Sequence, residues 1–297
     1  MLALIQHGAD VDTRATECGE TALMVACAQN APAHVVAALI DYGADVNKAQ
    51  QNGATPLCIA AQNGHEPVVV RLLRAGADTD KATHGGATPL FMCAWKGGVE
   101  SVVARLLAAG ADKDKATASG ATPLCIAAQK GHEPVVALLI EAGADKEKAR
   151  QGGATPLYMA AQNGHEPVVA RLLEAGADKD KASEYGATPL LIAAQEGHEP
   201  VVIMLLGKGA DVGETGYGET AKVARARGHE ACARILESRL RAAAYRIHRF
   251  WRGCDVRSCV CAVPPQTAAA AVGVKMYITC VMNCKTALHD EVLGHVF

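Results

Sequence analysis

The chain has 297 residues, half of them hydrophobic, yet only 4% are aromatic. That length matches about two ordinary domains, but ordinary cores lean on large aromatics, whereas this chain uses Ala and 29 Gly. Charged residues at 20% and a net charge of −2 exclude a disordered polyelectrolyte. There is no apolar run of the roughly 18 residues that a membrane helix needs. Glycine has no three-residue period, which excludes collagen.

The N-terminus, Met1 to His7, lacks a basic n-region and a long apolar core, so it does not read as a signal peptide. Residues 1–20 hold what a later unit uses as its second helix and connecting loop. Met1 would then sit inside a helix, and a truncated beginning is the expectation here. From there the chain repeats. Gly-Ala-Thr-Pro-Leu begins at Gly53, Gly86, Gly120, Gly153 and Gly186, at spacings of 33, 34, 33 and 33. Gly-Ala-Asp recurs from Gly8 to Gly209, and Gly-His-Glu from Gly64 to Gly228. A fixed period of this size signals stacked repeats.

One unit can be read residue by residue. Thr55 suits an N-cap and Pro56 the first helical position. Leu57, Ile59, Ala60 and Ala61 form a short slim helix that Gly64 stops. Pro67 starts a second helix, whose Val68, Val69, Leu72 and Leu73 share one face. Gly76 ends it. Asp78 to Gly86 is a finger rich in turn formers, leading to the next Thr-Pro. Full units start near Thr21, Thr55, Thr88, Thr122, Thr155 and Thr188. The one longer spacing comes from Gly97-Gly98-Val99-Glu100-Ser101, which replaces a Gly-His-Glu-Pro turn with one extra residue. A degenerate unit starts at Thr220, where Lys222, Arg225 and Arg227 replace the apolar pattern, as a terminal cap requires.

Thr55-Pro56-Leu57-Cys58-Ile59-Ala60 and its copies at Thr88, Thr122, Thr155 and Thr188 resemble the ankyrin-repeat motif Thr-Pro-Leu-His-x-Ala. The Gly-His and Leu-Leu-x-x-Gly-Ala-Asp elements match as well, and the resemblance covers roughly residues 1–240. It implies an all-α solenoid of helix-turn-helix pairs with β-hairpin-like fingers. The expected organisation is a partial repeat over 1–20, six repeats over 21–219 and a capping repeat over 220–240. A basic helix over 241–263 and a disordered tail over 264–297 follow. One departure is systematic: the motif His is replaced by Cys58, Phe91, Cys125, Tyr158 or Leu191. That puts the polar ties of this His in doubt and adds apolar packing.

The remaining chemistry is thin. Cys58 and Cys125 share a slot with Phe, Tyr and Leu, so they read as small buried hydrophobes in a reducing setting. A cytoplasmic location follows as the expectation, with the nucleus open. His65, His132, His165, His198 and His229 recur one repeat apart, where stacked helices stand about 8–10 Å from one another. A zinc ion needs its ligands about 2.0–2.1 Å away, so these read as turn residues, and no metal or cofactor is expected. Asp45, Asp78, Asp112, Asp145 and Asp178 are likewise a repeat apart, so no acid/base dyad is expected. No phosphate-binding or nucleophile-elbow context is present, and the chain does not read as an enzyme.

The family resemblance implies a protein-binding scaffold that uses fingertips and first helices. Mapped onto this chain, the positions that depart from a bland Gln, Asn and Gly background are His84, Trp95, Lys96, Lys130, Glu184, Tyr185 and Glu196. Trp95 stands where four other copies carry Gln, beside Lys96 and near His84. It reads either as a binding hot spot or as packing over the neighbouring turn.

The segment from Arg239 to Arg257 holds six Arg and one acid, a net of +5 that leaves −7 for the rest. Ala242 to Ala244 favour a helix, and Pro264-Pro265 sets its latest end. Ile247-His248-Arg249-Phe250-Trp251-Arg252-Gly253-Cys254-Asp255-Val256-Arg257 resembles an IQ motif, with Ile247, Arg252, Gly253 and Arg257 matching and His248 in place of Gln. The resemblance implies calmodulin or a related light chain as partner, with Ile247, Phe250 and Trp251 as anchors in a Met-lined groove. A structural cap, a membrane-surface helix and a nucleic-acid contact are the other readings. After Pro265 the pattern is weak, and Cys259, Cys261, Cys280, Cys284 and His289 match no trusted zinc spacing.

Overall fold

The computed structural model describes residues 10–14, 17–97, 99–211 and 216–253, with side chains as far as Ala242. It divides into a unit Met1–Arg241 and a unit Ala242–Phe297. The first unit is a succession of helix pairs. They are α1 (Ala22–Ala28) with α2 (Ala33–Asp41), and α3 (Pro56–Gln62) with α4 (Glu66–Arg74). Next come α5 (Pro89–Lys96) with α6 (Glu100–Ala108), and α7 (Pro123–Lys130) with α8 (Glu133–Glu141). After them stand α9 (Pro156–Gln162) with α10 (Glu166–Glu174), and α11 (Pro189–Glu196) with α12 (Glu199–Gly207). The last pair is α13 (Gly216–Ala226) with α14 (Glu230–Gly253).

Each first helix starts as its sequence dictates. Thr21, Thr55, Thr88, Thr122, Thr155 and Thr188 are extended N-caps, and each hydroxyl accepts from the backbone N–H three residues on. All six threonines are buried, so the cap bond is made away from water. Such a cap is worth about 1 kcal/mol. The following Pro gives up a donor that has no partner in a first turn.

Burial follows the same period. Leu57, Leu90, Leu124, Leu157 and Leu190 point from successive first helices into one continuous apolar column. Val68, Val69 and Leu72, with their counterparts, cover it from the second helices. Ala60 and Ala61 and their counterparts let first helices approach closely. The composition of the chain is therefore a packing solution: narrow helices need Ala, and the stops between them need Gly.

The fingers contain turns and, among the described residues, no strands. Gln50 N–H donates to Ala54 O at 2.9 Å and Gly53 N–H to Gln50 O at 2.9 Å. Each finger reaches the previous one through one backbone bond, such as His84 N–H to Asn52 O at 2.9 Å or Glu184 N–H to Gly152 O at 3.0 Å.

One expectation needs adjustment at the end of the array. Thr220 does not open the last unit: α13 starts at Gly216, and the Thr220 hydroxyl donates to Gly216 O from inside the helix at 2.9 Å. The helix after it, α14, has 24 residues where α4, α6, α8, α10 and α12 each have 9.

Candidate partner-binding surface

The repeated polar residues are committed to joining one unit to the next. Asp78 N–H donates to Asn47 Oδ1 at 2.8 Å, Asp112 N–H to Asp80 Oδ1 at 2.9 Å, and Asp145 N–H to Asp114 Oδ1 at 2.9 Å. Lysines complete the ladder: Lys81, Lys115 and Lys148 each donate from Nζ to a backbone oxygen of the unit before, at 2.9, 2.9 and 2.8 Å. The Asp residues therefore organise backbone across the junctions. Among the described residues no group of His, Cys, Asp or Glu could hold a metal.

The turn histidines act the same way. His65 Nδ1 lies 2.8 Å from Cys27 O, His165 Nε2 3.0 Å from Gln129 O, and His198 Nε2 2.9 Å from Gln162 O. Each ring donates to a carbonyl near the end of the previous first helix. Gly131 makes room for this: its φ is 77°, and a Cβ there would stand 2.6 Å from the His165 ring.

The loss of the motif His costs fewer ties than expected. The Cys58 thiol donates to Lys81 O and the Cys125 thiol to Lys148 O, both at 3.6 Å. Burial pushes both thiols up in pKa, and it raises Cys27 and Cys93 to about 12. These buried sulfurs stay protonated and unreactive at neutral pH.

What the ties leave over is the candidate surface, and it falls into two rows. His84, Glu184 and Tyr185 are exposed at fingertips. Tyr185 is 88% exposed, and its ring passes 3.8 Å from where a Gly152 Cβ would be. Trp95, Lys96, Lys130 and Glu196 are exposed at the ends of α5, α7 and α11. Trp95 and His84 do not meet. Trp95 is in the last turn of α5, whereas His84 is on the finger that leads into its first turn, and the helix between spans about 10 Å at 1.5 Å per residue. The ten residues between them fold as half a finger and most of α5.

The second row is electrostatically graded. Lys96 and Lys130 sit in last turns, where a cation complements the helix dipole, and neither is in an ion pair among the described residues. Glu196 occupies the same place with the unfavourable sign. Arg227 offsets it at 3.0 Å, so Glu196 is engaged in tying α11 to the capping unit. This pair was illegible beforehand, because nothing in a 31-residue separation marks a contact.

Of the IQ-like residues, Ile247, His248, Phe250, Trp251, Arg252 and Gly253 lie in the helical backbone of α14. Their side chains, and Arg257 altogether, lie outside the described residues. Cys254 to Phe297 lie outside them too, so the expected tail is not addressed. No described helix is long and apolar enough to cross a membrane.

The family profile "Ankyrin repeats (3 copies)" matches residues 1–83, 69–150, 90–183 and 147–216. The chain belongs to the ankyrin-repeat family. The crystal structure of the human ASB11 ankyrin repeat domain is similar, with a TM-score of 0.65 and 27% identity over 73% of this chain and 98% of that one. A search of curated proteins found no match. Ankyrin repeats point to a protein–protein interaction scaffold, and proteins of this family are typically non-enzymatic.

Proposed function

We propose that this ankyrin-repeat protein is an adaptor with two separate contacts. The array grips a protein partner along its fingertips and first-helix ends, through Trp95, Lys96, Lys130, His84, Glu184 and Tyr185. The basic part of α14 recruits a calmodulin-type regulator, in the cytoplasm and with access to the nucleus. The observation that carries the second contact is the length of α14, 24 residues without a break as far as Gly253. A calmodulin-type groove takes a helix, and in helical register Ile247, Phe250 and Trp251 follow at spacings of three and four that put them on one face. The alternative is an inert cap; among the described residues the last core side chain that α14 supplies is Leu236.

The test uses the full chain carrying Trp95→Phe, which leaves Trp251 as its one tryptophan. Calmodulin is added with calcium and again with chelator. A blue shift of the indole emission in either condition, lost on Ile247→Glu, supports the reading. Unchanged emission in both conditions removes the regulator and leaves the plain scaffold.

A further inference from the structure

The irregular unit lines an open cleft with the unit that follows it. From N-cap Thr88 to Glu100 the chain spends one residue more than from Thr122 to Glu133. Three features meet at that turn. Val99 takes the place of the turn histidine; its Cγ2 stands over Gly64 and the side chain is 54% exposed. The next histidine, His132, packs its ring over Gly97, where a Cβ would meet it at 2.6 Å. Among the described residues that ring makes no carbonyl bond of the kind His65, His165 and His198 make.

The third is a carboxylate outside any ion pair among the described residues, as Glu166 of a regular unit also is, with Met204 at its arginine position. Glu66 is paired with Arg105 at 3.2 Å and Glu133 with Arg171 at 2.7 Å, each one unit on. Glu100 would need its arginine at position 138, and Leu138 stands there. Among the described residues Glu100 is in no ion pair. Val99, Glu100, Ser101, His132, Pro134 and Val135 together line an open cleft of about 550 Å³. That is within the range of about 300–1,000 Å³ seen for ligand pockets.

We propose that this cleft receives a lysine or arginine side chain from a partner protein. The argument is charge and shape. Glu100 carries the one formal charge on the lining. Val99, Pro134 and Val135 give an apolar wall for an aliphatic stem, whose charged head then reaches the carboxylate. The unpaired His132 ring, when neutral, offers one acceptor nitrogen to the same head. Lys96 and Lys130 precede Gly97 and Gly131 but do not line the cleft; an acidic segment would be drawn to them instead. The proposal rests on the scaffold reading and adds to it a second docking point, on the turn between paired helices.

The test is an NMR titration of the isotope-labelled full chain with three blocked pentapeptides, Ala-Val-X-Val-Ala, where X is arginine, its neutral isostere citrulline, or glutamate. Arginine peptide is expected to shift the Val99, Ser101 and His132 amides, and citrulline to bind more weakly. Glu100→Gln should weaken the arginine peptide about two- to five-fold, as for an exposed ion pair, and erase its advantage over citrulline. A second variant restores the regular turn by deleting Gly98 together with Val99→His and Ser101→Pro. It should stay folded and lose the response. Equal binding of arginine and citrulline, preference for glutamate, or no shift at those amides overturns the proposal. None of these outcomes touches the scaffold reading, which is tested by partner capture on Trp95 and Tyr185 variants.

Discussion

The junction between the units headed by Thr122 and Thr155 differs from the one between the units headed by Thr88 and Thr122. At the first, the His165 ring bonds Gln129 O, and Glu133 pairs with Arg171. At the second, His132 makes no such bond among the described residues, and Glu100 has lost its arginine to Leu138. Yet both junctions bury the same apolar column: Leu90 and Leu124 are as inaccessible as Leu157. The lesson is a division of labour. Apolar burial holds the stack together everywhere, whereas the polar ties can be given up locally, and giving them up frees groups for other work.

That comparison can be pressed where it should break hardest. Leu124→Ala removes a fully buried side chain that serves both junctions. It should cost about 2–5 kcal/mol in equilibrium urea unfolding. Repeat arrays couple only nearest neighbours, so amide exchange should rise most in α5 to α10. A uniform rise along the chain would show that the units do not act as separable layers.

The ties themselves should separate the junctions. His165→Ala removes a hydrogen bond across a half-buried turn and is expected to cost about 1 kcal/mol. His132→Ala removes ring packing over Gly97 without a hydrogen bond, and should cost clearly less. Equal losses in the same unfolding assay would mean that the ring contact, rather than the bond, supplies the tie.

Much of this was readable beforehand, and the boundary is physical. Thr-Pro starts, Gly stops and the Val-Val-x-x-Leu stripe act within a dozen residues, so the sequence specifies them directly. Ties between units depend on which atoms two copies of one motif bring together. The period says that Asp112 and Asp145 recur; only the fold shows Asp145 N–H resting on Asp114. The 34-residue spacing was visible as an irregularity, but the cleft it opens required knowing that His132 and Val135 come from the next unit. All seven array residues of the candidate surface are exposed, while the commitment of Glu196 to Arg227 did not announce itself.

The smallest expected effect on stability is the most informative about function. Trp95 is 43% exposed at the end of α5, so part of its ring faces water whatever the rest covers. Regular units place Gln at this position and stack equally well. Trp95→Gln should therefore shift stability by no more than about 0.5 kcal/mol, as surface substitutions do. If Trp95 is a hot spot, the same change should weaken partner capture by about 2 kcal/mol or roughly thirty-fold, because a desolvated indole concentrates interface energy. The pair of measurements is what decides. A stability loss comparable to that of His165→Ala would assign Trp95 to the turn it adjoins, and the exposed indole would then belong to the junction that gave up its other ties.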